Sequence, residues 1–257
     1  MDSVKPVSPR PRIEGQGTPE AEWESSSWLG ALPTREAHSV LQDVRRLVIV
    51  SPHPDDEVLG CGGLMQAAAR LGTDVHVISV TDGEACYPDQ PLWPAARLRD
   101  ARRHELATAM RELGLDATHV TLLGLPDGGV SLREAELVTL LVAQLLPGDL
   151  VLGPWVHDAH PDHEATGRAT LEAATARGVR ALQYPVWAWH WMDPHTTMGP
   201  WRVASRVALC DASMSRKQQA MLAFATQMGA VDGLDCDPIL PDHVTARFKR
   251  PYEVLIG

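Results

Sequence analysis

Short apolar runs alternate with stretches of helical periodicity from Arg45 onward, and that alternation constrains the fold of this chain more than any other feature. LVIV at 47–50 is a β-branched run that stops at Pro52, as a buried parallel strand does. Residues 57–71 carry Val58, Leu59, Leu64, Met65 and Ala68 at helical spacing, and VHVISV at 75–80 reads as a second strand. The rhythm continues with a helix over 95–113, a strand over 118–125, a helix over 131–146 capped by Ser131, a strand over 149–154 and a helix over 162–177. Such units in series give an α/β fold, a mostly parallel sheet with helices on both faces. Beyond 177 the pattern loosens into strand-like stretches near 179–189 and 201–209 and a helix near 213–227. Residues 1–40, rich in Pro, Ser, Gly and Glu, read as a loosely structured arm ahead of one domain over 41–257, with Trp23, Trp28 and Leu29 as the side chains to pack onto it.

The balance of charge bears on partners. A formal net charge of −10 implies no basic surface for neutralising phosphates, so nucleic acid is not an expected partner. Cys61, Cys86, Cys210 and Cys236 contain no C-x-x-C pair, which argues against a disulfide framework or a cysteine-held zinc. The first residues lack the apolar core of a signal peptide, and the most apolar stretch, 137–146, is too short to span a bilayer. A cytoplasmic protein is the expectation; oligomeric state is not legible.

Two His/Asp clusters fall at strand ends. S-P-H-P-D-D-E places His53, Asp55, Asp56 and Glu57 where the 47–50 strand gives way to a helix, and H-D-A-H-P-D-H places His157, His160, Asp162 and His163 after the 149–154 strand. Ligands of open α/β sheets bind at the carboxyl ends of the strands, so both clusters face one site. Two imidazoles and a carboxylate hold a zinc ion while leaving a position for water, and the water so held becomes a nucleophile near neutral pH. One of Asp55 and Asp56 can ligate while the other accepts the proton; spacing leaves open which does which. A His-Pro turn whose aspartate merely caps the next helix explains the first cluster taken alone, but not a second cluster at a second strand end.

The motifs S-P-H-P-D-D-E-x-L-G-C-G-G and H-P-D-H, with R102-R-H-E105, L-G-L-P-D127-G-G, Lys217 and the T-Q pair ending at Gln227, resemble the LmbE/PIG-L family of zinc-dependent N-deacetylases from about Arg45 to Gln227. That resemblance implies a Rossmann-like three-layer α/β/α domain acting on the N-acyl group of an amino sugar or small glycoconjugate. It implies His53, Asp56 and His163 as ligands of Zn2+, or of another divalent ion such as Fe2+, with Asp55 as general base. It further implies a protonated His160 that steadies the oxyanion and is oriented by Asp162. Where some relatives carry an oxyanion-binding Tyr, two residues before the first His of the second motif, this chain has Asp158, which cannot donate when ionised.

Weaker signals have two readings each. Arg102 matches a family arginine that reaches sugar hydroxyls, but it also suits the solvated face of an arginine-rich helix. Asp127 stands at a strand end facing the site, yet an Asp before Gly-Gly also forms turns. Trp155 is the candidate pocket wall, and Trp187, Trp189 and Trp191 at period two would share one face of a strand, as core or as a sugar platform. Glu57 suits a helix N-terminus. Gly62 and Gly63 suit close helix packing. Two other functions fit the same residues: a non-haem iron oxygenase using two His and one carboxylate, and a metal- or sugar-binding protein without turnover.

Overall fold

A computed structural model describes residues 13–116, 119–195 and 200–257. Residues 1–12 of the arm and residue 118, the first of the strand read over 118–125, lie outside them. Among the described residues eight strands form one sheet in the order β1-β7-β8-β6-β5-β2-β3-β4. They are β1 (Thr34–Glu36), β2 (Arg46–Ser51), β3 (Asp74–Ser79), β4 (Val120–Leu122), β5 (Asp149–Pro154), β6 (Arg180–Tyr184), β7 (Ala204–Ala208) and β8 (Tyr252–Ile256). All neighbours pair parallel except β8, which runs antiparallel to β6 and β7.

The alternation of side chains on the central strands sorts the helices into two outer layers. Leu47 and Ile49 of β2, with Leu150 and Leu152 of β5, face one core, shared with α4 (Asp56–Leu71), α5 (Ala95–Glu112) and α9 (Asp211–Leu222). Val48, Val50 and Val151 face the other core, with α6 (Glu134–Gln144) and α7 (Pro161–Arg177). Strands buried on both faces are apolar at every position, which is why LVIV carries no polar alternation. Close approach of α4 depends on its glycines: a Cβ at Gly60 would overlap the Tyr184 ring, and one at Gly62 would stand 3.2 Å from the Lys217 side chain.

Several elements differ from the sequence expectation. Ser131 caps no helix. It lies in a 3-10 turn, Val130–Arg133, and α6 begins at Glu134, because Asp162 accepts the backbone N–H groups of Gly128 and Val130 and winds the approach tightly. The W-A-W-H-W stretch is no strand but a short helical turn, α8 (Ala188–Trp191). Its start is fixed by Asp158, whose carboxylate accepts N–H groups from Val186, Trp187 and Ala188, satisfying donors that a helix N-terminus leaves free. The three tryptophans therefore diverge: Trp189 packs edge-on against Trp23 at 5.0 Å, Trp191 stacks on Trp155 at 6.3 Å, and Trp187 turns to the cleft. β8 went unread because its Glu253 is buried, against the usual sense of a charged residue.

The described part of the arm is built of short pieces, α1 (Glu20–Glu24), α2 (Ser27–Ala31), β1 and α3 (Ala37–Val40). Trp23 is fully buried and donates its indole N–H to Trp189 O, Leu29 is buried, and Trp28 packs at the edge of the same cluster. Residues 14–18 form a strap: Arg247 donates to Gln16 O and Thr18 O, and Thr18 N–H donates to His190 O.

Candidate metal centre

β2 and β5 are neighbours in the sheet, and the chain leaves them in opposite directions, through α4 to β3 and through α7 to β6. This is the topological switch point, where the carboxyl ends of two strands open a crevice. The segment 53–57 enters it from β2 and the segment 157–163 from β5, so the two sequence clusters meet.

The first turn does not behave as a helix cap. Asp55 is the N-cap residue of α4, but its side chain makes no capping bond. Its backbone takes φ 138°, a conformation non-glycine residues rarely accept, and this turns the carboxylate towards α5. There Arg102 donates from Nη2 to Asp55 Oδ2 at 3.1 Å and to Pro54 O at 2.7 Å, and from Nη1 to Gly83 O at 2.9 Å. Burial raises the Asp55 pKa well above the usual carboxylate range, against the pull of Arg102. Glu57 is fully buried under the turn, accepts from the Ser51 hydroxyl and from Asp55 N–H, and is pushed by burial to a pKa of about 7.

His53, Asp56 and His163 converge. Asp56 Oδ2 lies 3.1 Å from His53 Nδ1 and 3.2 Å from His163 Nε2. The facing atoms of the three residues lie within 4.8 Å of one another, a spacing that suits one ion. His163 is wholly buried; its Nδ1 is 2.8 Å from Asp158 Oδ2, while Nε2 makes no hydrogen bond and faces the cluster. Burial opposes charge on His163, but Asp56 and the bond to Asp158 override it and raise its pKa to about 9. Burial likewise opposes charge on His53, and Asp127, Asp162 and Asp56 raise its pKa. Asp56 is held well below the usual carboxylate range, against its burial, by these histidines. An inner cluster of this polarity, with an unspent buried nitrogen aimed into it, fits a divalent cation.

The remaining candidates divide. Asp127 Oδ1 lies 3.2 Å from His53 Nε2, and its Oδ2 accepts from Ala85 N–H at 2.7 Å, so it both steadies His53 and pins the 81–85 loop. Asp162 Oδ2 is 3.5 Å from His53 Nε2 and otherwise binds Gly128 and Val130; no hydrogen bond joins it to His160, whose orientation it was expected to set. His160 packs against His163 and His53 at ring distances of 4.7 and 5.0 Å. Burial and these two neighbouring rings push its pKa down to about 3. Trp155 does not line the cleft; it is buried behind it, and Trp187 takes the wall position. His157 is exposed and outside the lining.

Two contributors went unread. Asp158 was noted for the Tyr it replaces; its fully buried carboxylate instead bridges His163 and the start of α8. A carboxylate a few residues from a ligating histidine is the signal for it. Glu105, one turn beyond Arg102 on α5, accepts from both the N–H and the hydroxyl of Thr226, fixing the Thr226-Gln227 corner beside the cleft. The R-R-H-E motif thus holds Asp55 through its first residue and the cleft wall through its last.

Fold and site define an α/β protein with a two-histidine, one-aspartate centre at the switch point of its sheet. The family described as PIG-L, GlcNAc-PI de-N-acetylase, matches residues 48–174, and the chain is similar to that family over this span. A diacetylchitobiose deacetylase of Thermococcus kodakarensis is 26% identical over 139 residues, covering 53% of this chain and 52% of its own length. A 1D-myo-inositol 2-acetamido-2-deoxy-alpha-D-glucopyranoside deacetylase of Kribbella flavida is 28% identical over 259 residues, covering 74% of this chain and 84% of its own. Among solved structures, the pseudoaglycone deacetylase Dbv21 superposes with a TM-score of 0.60 at 26% identity, covering 83% of this chain and 96% of that one. The chain spans only about half the length of the Thermococcus relative.

Proposed function

We propose that this protein is a zinc-dependent hydrolase that removes the N-acyl group, typically N-acetyl, from an amino sugar or small glycoconjugate. The observation that carries the reading is Asp55: a buried carboxylate, released from helix capping by an unusual backbone conformation and gripped by Arg102, directly beside the three-residue centre. A ligand cluster alone needs no such neighbour; hydrolysis does. The named deacetylases among the relatives support the same chemistry.

His53, Asp56 and His163 would hold the ion, which when bound supplies Lewis-acid polarisation and acidifies water to about pKa 7. Asp55 takes the proton of the attacking water and returns it to the amide nitrogen as the C–N bond breaks, leaving a carboxylic acid and a free amine. His160 lines the cleft and, in either protonation state, carries an N–H to donate to the carbonyl oxygen as charge develops there. Arg102 keeps the base in place rather than reaching sugar hydroxyls, since both of its terminal Nη nitrogens are engaged by Asp55, Pro54 and Gly83.

The iron-oxygenase reading gives no part to Asp55 and sits poorly on a parallel α/β sheet, and a protein that binds without turnover has no need of the base. No described helix is long and apolar enough to cross a membrane, and we place the reaction in the cytoplasm on a small-molecule substrate. Acetate release from N-acetylglucosamine derivatives, abolished by chelation and restored by zinc, tests the reading; oxygen consumption with Fe2+ and a 2-oxo acid in place of acetate release would replace it.

A further inference from the structure

The cleft over the metal centre has a volume of about 890 Å³. Part of its lining is the acidic and imidazole cluster already described. Another part is apolar and includes Leu59, Trp187, Pro238, Ile239, Leu240 and Val244. This wall is built, not loose: Leu240 N–H donates to Gln227 O at 2.9 Å, and Ile239 N–H donates to the Tyr87 hydroxyl, which itself donates to Thr226 O. Leu59, Leu240 and Val244 are each at most 4% exposed, so the wall is continuous with the hydrophobic core.

Charge is as one-sided as polarity. Among the described residues lining the cleft, Arg102 is the single Lys or Arg, and its two terminal nitrogens are bound to Asp55 and two backbone carbonyls. Asp237, the residue before Pro238 of the apolar wall, also lines the cleft. A phosphate or carboxylate there would gain no hydrogen-bonded cation and would meet a like charge.

Resting on the deacylase reading above, we propose that this wall is an aglycone subsite that selects uncharged, apolar groups attached to the amino sugar and disfavours anionic ones. The amide is presented to the metal side while the aglycone lies against Trp187, Ile239 and Leu240. Aromatic and aliphatic walls of this kind reward the apolar area they remove from water, and a few polar groups opposite them fix orientation.

The test compares kcat/KM of the zinc-loaded enzyme for phenyl 2-acetamido-2-deoxyglucoside, free N-acetylglucosamine and N-acetylglucosamine 1-phosphate. We expect the phenyl glycoside to exceed the free sugar by roughly tenfold, as the burial of one aromatic ring implies, and the 1-phosphate to fall below it. Ile239→Ser should erase most of the phenyl advantage, and Asp237→Lys should raise turnover of the 1-phosphate alone. Equal values for phenyl glycoside and free sugar, or a preference for the phosphate, would overturn the subsite while leaving deacylation intact. Were no acylated sugar hydrolysed at all, calorimetric binding of phenyl glucoside against glucose 1-phosphate to the same protein decides the subsite separately: tighter phenyl glucoside supports it, and the reverse order overturns it.

Discussion

Asp158 Oδ2 lies 2.8 Å from Nδ1 of His163, on the far side of the imidazole from the nitrogen that faces Asp56. One buried carboxylate thereby orients His163 and starts the α8 turn that carries Trp187 to the cleft. Carboxylates behind ligating histidines typically change metal affinity roughly 10–100-fold when altered. We expect Asp158→Asn, which keeps the shape and an acceptor oxygen, to weaken zinc by about tenfold in a chelator competition; unchanged affinity would remove this role.

Asp55 and Arg102 separate binding from turnover. Asp55→Asn should retain its metal, measured by elemental analysis, while kcat falls by roughly 10²–10⁴-fold. Arg102→Leu should lower kcat more than it raises KM, because the guanidinium holds the base rather than the substrate. A large KM effect with kcat preserved would return Arg102 to the sugar-binding role that its motif suggests.

The ion pair of Lys217 and Glu253 is a stability determinant away from the chemistry. Lys217 Nζ donates to Glu253 Oε1 and to Leu59 O, each at 2.8 Å, and Glu253 accepts from Gly63 and Leu64 N–H of α4. Both residues are at most 4% exposed. Lys217→Met leaves a buried carboxylate without its cation and should cost about 3–5 kcal/mol in urea unfolding. A loss below about 1 kcal/mol, the range of exposed pairs, would contradict this placement.

Tyr87 gives the fold an alkaline limit. Burial raises its pKa from the model-compound range to about 12 while its hydroxyl donates to Thr226 O. Between roughly pH 10, where a free phenol ionises, and that value, the unfolded chain has lost a proton that the folded chain keeps, so stability falls as pH rises. The contribution is fully present below pH ~10. Tyr87→Phe should be less stable at neutral pH by about 1 kcal/mol for the lost hydrogen bond and should flatten the decline above it, read as unfolding midpoint against pH.

The central βα units were legible because strands buried on both faces are written as unbroken apolar runs, and the two His/Asp clusters because they stand directly after two of them. Less was legible where one distant side chain dictates local structure. The Trp187–Trp191 stretch has the period of a strand, yet Asp158 supplies acceptors to three consecutive N–H groups and turns it into a helix. Ser131 looks like a cap until Asp162 takes the N–H groups just before it. β8 hides behind its buried Glu253, whose partners lie at Lys217 and on α4. The choice of Asp56 as ligand over Asp55 came from family resemblance; the structure places the Asp56 carboxylate between His53 and His163 and the Asp55 carboxylate against Arg102.

The account stands or falls on whether the centre built by His53, Asp56 and His163 hydrolyses an N-acyl amino sugar with Asp55 as base. The direct measurement is mass-spectrometric release of the free amine from an N-acetylglucosamine glycoside by wild type, chelated, zinc-restored and Asp55→Asn protein. We expect product from the first and third alone, with zinc bound in Asp55→Asn at wild-type stoichiometry. Product formed undiminished by the chelated protein, or by Asp55→Asn, would contradict it.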